Sequence, residues 1–314
     1  MSSRFQAYAL IVIAVLLALL PLAGSRYAVE LATQIMIFAL FALSLNLLIG
    51  YLGSVSFGHA AFFAIGGYAC AYLQTRIGLP LVVSMAGAVV ITALAATVIG
   101  YFCVRLNEIY FAMLTLAFSM LVWAIAIKWK PVTGGDDGFV GVAVPEMLTS
   151  PTSFFFFTLA VSAGCVVLLW FITNSTMGKT FVAIRENQTR ASFLGVNVRL
   201  VRLSAFVIAG SFAGVAGSLM ALYLRGMYPE SAFWTQSGQV LIMVLLGGMH
   251  SFVGPVLGAA ALYLLEVTIN QYTEYWQIVL GAILLAIVLA APEGIYGIIR
   301  NFISRTRRSD HGDA

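Results

Sequence analysis

Few side chains in this 314-residue chain could do chemistry, and their spacing argues against most of it. Gly178-Lys179-Thr180 has the ending of a phosphate-cradling loop, but that loop requires a Gly where this chain has Thr173. An apolar run, not a soluble strand, precedes it, so no nucleotide site is expected here. Asp136 and Asp137 stand side by side among glycines. That pattern suits a turn, because a calcium loop alternates its ligands. Cys70, Cys103 and Cys165 lack paired spacing and read as small packing residues. His59 has no acidic neighbour in sequence. Glu266 is the main acid inside an apolar stretch, with Glu274 near an end. With no nucleophile–base pair and no Asp/Glu/His cluster, a membrane enzyme has no support. An ion-coupled secondary transporter needs acids on its pathway and has only Glu266.

The elements that hold these residues follow from composition. Hydrophobic residues make up 61% of the chain and charged residues 9%, against roughly 25% charged in a soluble domain. Mean hydropathy is +1.00. A globule of this size cannot hide so much apolar surface, which excludes a cytosolic enzyme, a disordered chain and a nucleic-acid binder. The expected fold is all-α: one polytopic transmembrane helical bundle over residues 1–314, in contact with membrane lipid.

Charges punctuate the spans, because a charge at the bilayer centre costs about 2.5–3.5 kcal/mol. Residues 5–25 form one span, and 31–75 form two, joined near Gly50–Ser54. Spans follow at 77–104, 109–127, 147–178 (starting near Phe154) and 203–224. Ser231–Leu265 holds two, the first short, with breaks at Gly247-Gly248 and Gly254-Pro255. Residues 275–292 form the last, before a basic tail at 298–314. The total is about ten, with nine the alternative. Of the 16 Lys and Arg residues, only Arg26, Arg76, Lys128, Lys130 and Arg225 then fall outside. Both termini are expected in the cytoplasm. The first run ends in Leu22-Ala23-Gly24-Ser25 and could pass for a signal peptide, but its length and single Arg favour a retained span.

The longest polar break, residues 174–202, is the expected cytoplasmic loop. Residues 180–194 read as one short helix, with Glu186 and Arg190 paired at i, i+4. Phe181, Ile184, Ala191 and Leu194 fall on one side. Gly195 suits a left-handed cap, and Asn197 can cap the next span. Such a helix either rests on lipid headgroups or docks a cytoplasmic partner.

Gly178-Lys179-Thr180-Phe181-Val182-Ala183-Ile184-Arg185-Glu186-Asn187, followed by Ala191 and Gly195, resembles the coupling loop of ATP-binding-cassette (ABC) importer permeases. The Ala-Ile-Arg-Glu-Asn variant is similar to branched-chain amino-acid permeases of the LivM type. Asn46–Tyr51 with Ser56–Phe62, Thr133–Gly138, Leu246–Gly248 with Gly254–Ala259, and Pro292-Glu293-Gly294 resemble further segments of that family. Gln188 departs from it, standing where an acid is common. The resemblance implies an inner-membrane importer subunit without its own cofactor. It implies ATP and Mg on two partner ATPases, a second homologous permease, and a periplasmic solute-binding protein. It assigns ATPase coupling to Gly178, Ala183, Arg185, Glu186, Asn187 and Gly195. Permeases for urea, amides or other amino acids share the expected fold.

Gln34, Ser44, Asn46, Ser54, Ser56 and His59 cluster in the second and third spans. A zwitterion with an apolar side chain needs weak polar contacts along its path, which Asn46, Ser54, Ser56 and His59 offer. Small polar residues also hydrogen-bond helix to helix, and both readings stand. Gly53-x-x-Ser56-Phe57 recurs as Gly248-x-x-Ser251-Phe252, each at a break between spans, where transporters often place substrate sites. Gly210 with Gly214, and Gly254 with Gly258, allow close helix contact, within the chain or across a dimer.

Overall fold

The computed structural model describes residues 3–23 and 25–272, and beyond them 278–279, 281–282, 285 and 294–297. Most of the expected last span and all of the tail at 298–314 lie outside the described residues.

Helix α1 spans Ser3–Leu19. Ser25 caps α2, Arg26–Asn46, which runs on through a π-helical turn at Leu47–Leu52. Next come α3, His59–Thr75, α4, Leu81–Cys103, and α5, Glu108–Lys128. A single turn α6, Lys130–Thr133, and strand β1, Phe139–Val140, lead to α7, Pro151–Asn174. The polar break folds into α8, Thr176–Glu186, and α9, Gln188–Phe193. Helix α10 is Val198–Leu224, followed by strand β2, Gly226–Met227. Helices α11, Trp234–Gly247, and α12, Gly254–Asn270, follow. Arg26–Leu52, α4, α5, α7 and α10 are long and apolar enough to cross a membrane, and α12 is a shorter apolar helix.

The expected breaks fall where sequence placed them, with shifts that have local causes. Helix α4 starts at Leu81 rather than near 77, because Gly78 takes a positive φ of 77° and Pro80 is its N-cap. Helix α10 starts at Val198, ahead of 203, because the Asn197 side chain accepts a hydrogen bond from the Leu200 amide at 3.2 Å. Arg199 and Arg202 therefore ride on the helix instead of ending it.

Helix α11 is short for a reason. Its 14 residues rise about 21 Å, less than the ~30 Å hydrocarbon core. The stretch before it is not α-helical: a 3-10 turn at Pro229–Ala232 packs against α3 and α5. Buried Ser119 on α5 donates to the Ala232 carbonyl at 2.8 Å, satisfying backbone that a helix would have satisfied itself. Strands β1 and β2 pair antiparallel, Phe139 opposite Met227. The otherwise helical fold thus ties its long loop to the end of α10.

Helix α10 is the spine, packing most extensively on α3 and α4. Glycines set that distance. A Cβ at Gly217 would lie 1.8 Å from the Phe63 carbonyl, and one at Gly66 would lie 2.3 Å from the Gly214 carbonyl. Gly210 meets Ala96 and Phe62. Gly258 and Gly247 bring α12 onto α11, a Gly258 Cβ falling 1.9 Å from the Met243 carbonyl. Both small-residue motifs are thus used within the chain.

Gly217→Val should therefore destabilise the bundle by about 1–3 kcal/mol or more. Gly164→Val, on α7 where an added Cβ meets nothing within 4 Å, should leave the melting temperature in detergent unchanged. Equal melting of both variants would contradict the packing.

Candidate functional site

The 174–202 break is a two-helix hook rather than one helix. Ser175 caps α8, its hydroxyl accepting from the Gly178 amide at 3.4 Å. Asn187 then turns extended, and its side chain accepts from the Arg190 amide at 2.8 Å to cap α9. An Asn side chain competes with a helical backbone in this way. The break removes the i, i+4 register expected for Glu186 and Arg190. Gly195 closes the hook at φ 83°, the expected left-handed cap.

The hook has two faces. Phe181, Ile184 and Ala191 are buried against the bundle. Gly178 is buried too, and a Cβ there would lie 2.2 Å from the Thr173 carbonyl of α7. Ala183, Glu186, Asn187 and Gly195 lie on the open face. Phe193 and Leu194 are also open, 86% and 79% exposed. Leu194 thus leaves the apolar side that sequence gave it, because the break at Asn187 rotates α9 relative to α8.

Arg185 points inward. Its guanidinium Nη1 donates to the Gly50 carbonyl, and its stem covers Gly53, where a Cβ would come within 2.6 Å of Cγ. Gly50 and Gly53 lie on the π-helical end of α2, and Gly53 takes φ 80° to end it. A helix end leaves carbonyls without amide partners, and Arg185 fills one of them. Arg202, also from the expected loop, does likewise at the next residues. It is 6% exposed and donates to Ser54 Oγ at 3.2 Å and to the Leu106 carbonyl at 3.3 Å. Its guanidinium lies 5.6 Å from the Phe111 ring. Sequence reasoning counted Arg202 as a topology charge. Its only signal was a cation one turn inside an apolar run.

The second break, between α11 and α12, abuts the first. Asn46 Nδ2 donates to the Ser251 carbonyl at 3.2 Å, and a Cβ at Gly50 would lie 2.1 Å from the Met249 carbonyl. Gly248 ends α11 at φ 106°, and Ser251 Oγ accepts from the Gly254 amide at 2.8 Å to start α12. The two echoed segments are therefore placed side by side.

Asn46, Ser54, Ser56 and His59 are all closed off in this chain, at 1%, 3%, 0% and 0% exposure. The Ser44 hydroxyl donates to the Phe41 carbonyl at 2.6 Å, so His59 Nε2–H donates to Ser44 Oγ at 2.8 Å. His59 stacks on Phe41 at 5.4 Å. Asn46 Oδ1, His59 Nδ1 and Ser56 Oγ have no partner, and Ser56 has no side-chain partner at all. Gln34 donates to the Tyr223 hydroxyl at 2.6 Å. Glu266 accepts from Gln239 at 2.7 Å, which ties the main intramembrane acid to a neighbouring helix. Asp136 and Asp137 lie in a 3-10 turn between left-handed Gly134 and Gly138, which has a positive φ of 74° but an extended ψ. Cys70, Cys103 and Cys165 are buried and free.

Comparison with known proteins places the chain in a family. The chain is 29% identical to the high-affinity branched-chain amino acid transport system permease protein LivM of Escherichia coli, over 93% of this chain and 75% of that one. It is 25% identical to the LivH permease protein of the same organism's system, over 83% and 91%. It is 28% identical to the autoinducer 2 import system permease protein LsrC of Klebsiella pneumoniae, over 60% and 54%. No solved structure matches it. The family model for the permease component of branched-chain amino acid transport systems matches residues 27–288, which take in α2 through α12 and both helix breaks. That match covers most of the chain, and the chain belongs to the family of branched-chain amino acid transport system permease components.

Proposed function

We propose that this chain is one of two homologous permease subunits of an ATP-driven importer for branched-chain or related neutral amino acids. It crosses a bacterial inner membrane about ten times, with both termini cytoplasmic. Two cytoplasmic ATPases carry ATP and Mg, and a periplasmic solute-binding protein delivers the substrate. The observation that carries the reading is the hook. Its inner face is buried against α7, α10 and the end of α2. Its outer face offers Ala183, Glu186 and Asn187 with the exposed apolar tip Phe193-Leu194. A short polar helix tied rigidly to two spans can pass a partner's motion to them. Support for a second permease comes from the likeness to both LivM and LivH of one system. The likeness to LsrC bears on substrate: one fold family serves different cargo.

Two replacements test the docking face. Ala183→Trp adds bulk on the open side of α8, and Gly195→Val forces a β-branched residue into a left-handed turn. Each should lower ATPase-coupled uptake on the order of tenfold, as an overpacked contact would, with membrane insertion intact. The measurement is co-purification of the ATPases, with hydrolysis and uptake on the same samples. Normal binding, hydrolysis and uptake in both variants would leave the hook as a headgroup anchor.

The path reading is tested by cysteines at positions 46, 54, 56 and 59. All four are closed off in this conformation. If they line the path, they open to water during turnover and should then react with a water-soluble thiol reagent, Ser56 foremost because its hydroxyl has no partner in the chain. Asn46, Ser54 and His59 each keep one hydrogen bond to another part of the bundle and should react more slowly. Protection of all four, with and without nucleotide, would assign the whole cluster to helix packing.

A further inference from the structure

Arg185 lies within the hook, yet it does not share the face that Ala183, Glu186 and Asn187 present. Its guanidinium reaches the Gly50 carbonyl, and its stem lies on Gly53. Among the described residues Arg185 has no carboxylate partner, the one ion pair there being Arg26 with Glu30. What holds it is the end of α2, where the π-helical turn leaves backbone carbonyls free. A bond from a cation to such a carbonyl is stronger than a neutral one.

The turn it grips is a joint. Gly53 is left-handed, the Ser54 amide reaches back to the Leu48 carbonyl at 2.9 Å, and no α-helix resumes until His59. Arg202 holds the far side of that joint through Ser54. On its inner side Gly50 and Asn46 touch Met249 and Ser251, the second joint of the molecule. A path of direct contacts thus runs from α8 to the α2 joint and on to the joint between α11 and α12.

Resting on the proposed importer function, we propose that Arg185 is an internal strut rather than an ATPase contact. It fastens α8 to the α2 joint, so that a displacement of the hook shifts both helix breaks together. Gly53 is the other half of the strut. Any side chain there would collide with the arginine stem and strain a left-handed backbone. Arg185 acts through the joint and touches neither nucleotide nor ATPase, which makes it a positioning residue.

The test uses the full importer and, separately, the permease alone in lipid nanodiscs. In the nanodisc, Arg185→Met keeps the unbranched apolar stem that lies on Gly53 but removes the donor. Backbone hydrogen exchange over residues 48–56 should speed up about tenfold or more, the scale of losing one charge-assisted hydrogen bond. Arg185→Lys, which can still donate, should restore slow exchange. Unchanged exchange in Arg185→Met would overturn the strut regardless of any transport result. In the full importer, Arg185→Met and Gly53→Ala should retain the ATPases and their hydrolysis but lose uptake. Loss of ATPase binding in Arg185→Met would make the residue a docking contact, and normal uptake in both variants would show that the joint carries no motion. Failure of the wild-type permease to retain ATPases would defeat the proposed importer function and leave the exchange result to decide the strut.

Discussion

The constraint on which this structure depends is the absence of water in the bilayer core. Every backbone amide and carbonyl there must find its partner within a helix or from a neighbour. Long helices meet the requirement by themselves. The breaks do not, and several among the described residues are met by specific side chains. Arg185 serves the Gly50 carbonyl, Ser119 the Ala232 carbonyl, Ser237 the Ala60 amide at 2.9 Å, and Asn46 the Ser251 carbonyl. Other buried polar residues, such as Thr33, Thr92 and Ser218, bond the preceding turn of their own helix, but these four pull the stopping points together. That is why two breaks far apart in sequence lie in contact.

The same constraint sorts the helices into an inner and an outer set. Over its most apolar window α2 with its π-helical end is 89% buried and α10 is 72%, while α4, α5 and α7 are 22–28% buried. The inner helices are therefore held by protein on most sides, and the outer ones show apolar surface such as Val82, Met113 and Phe171. In water such surface would drive aggregation, but against lipid tails it carries no penalty. Close packing must then come from shape, and the glycines of α3, α10, α11 and α12 supply it by letting backbones touch.

The proposed function joins these two features. A hook with one buried and one open face is tied to α7 and α10 by short connections. It rests on the end of α2, the most buried of the long helices. On that proposal, motion applied to its open face would pass to the centre of the bundle, because the hook's inner face contacts the joint at the end of α2. The breaks are the places where a helical protein can bend without losing internal hydrogen bonds it has already given up.

Several features could be read from the chain alone because they are local. Charges excluded from hydrocarbon mark span ends, Gly195 and Asn197 announce the close of the hook and the start of α10, and the glycine pairs announce close contact. The break at Asn187 was missed because good helix formers flank it, and only the side-chain cap on α9 tips the balance. Ser231–Leu265 read as a short span followed by a normal one, but the non-helical stretch before α11 depends on Ser119, more than a hundred residues away. The inward turn of Arg185 and the burial of Arg202 were equally hidden. A sequence shows that a cation is present and what it costs to bury. Which orphan carbonyl will receive it is decided only when distant helix ends meet, because that partner exists only in the folded bundle.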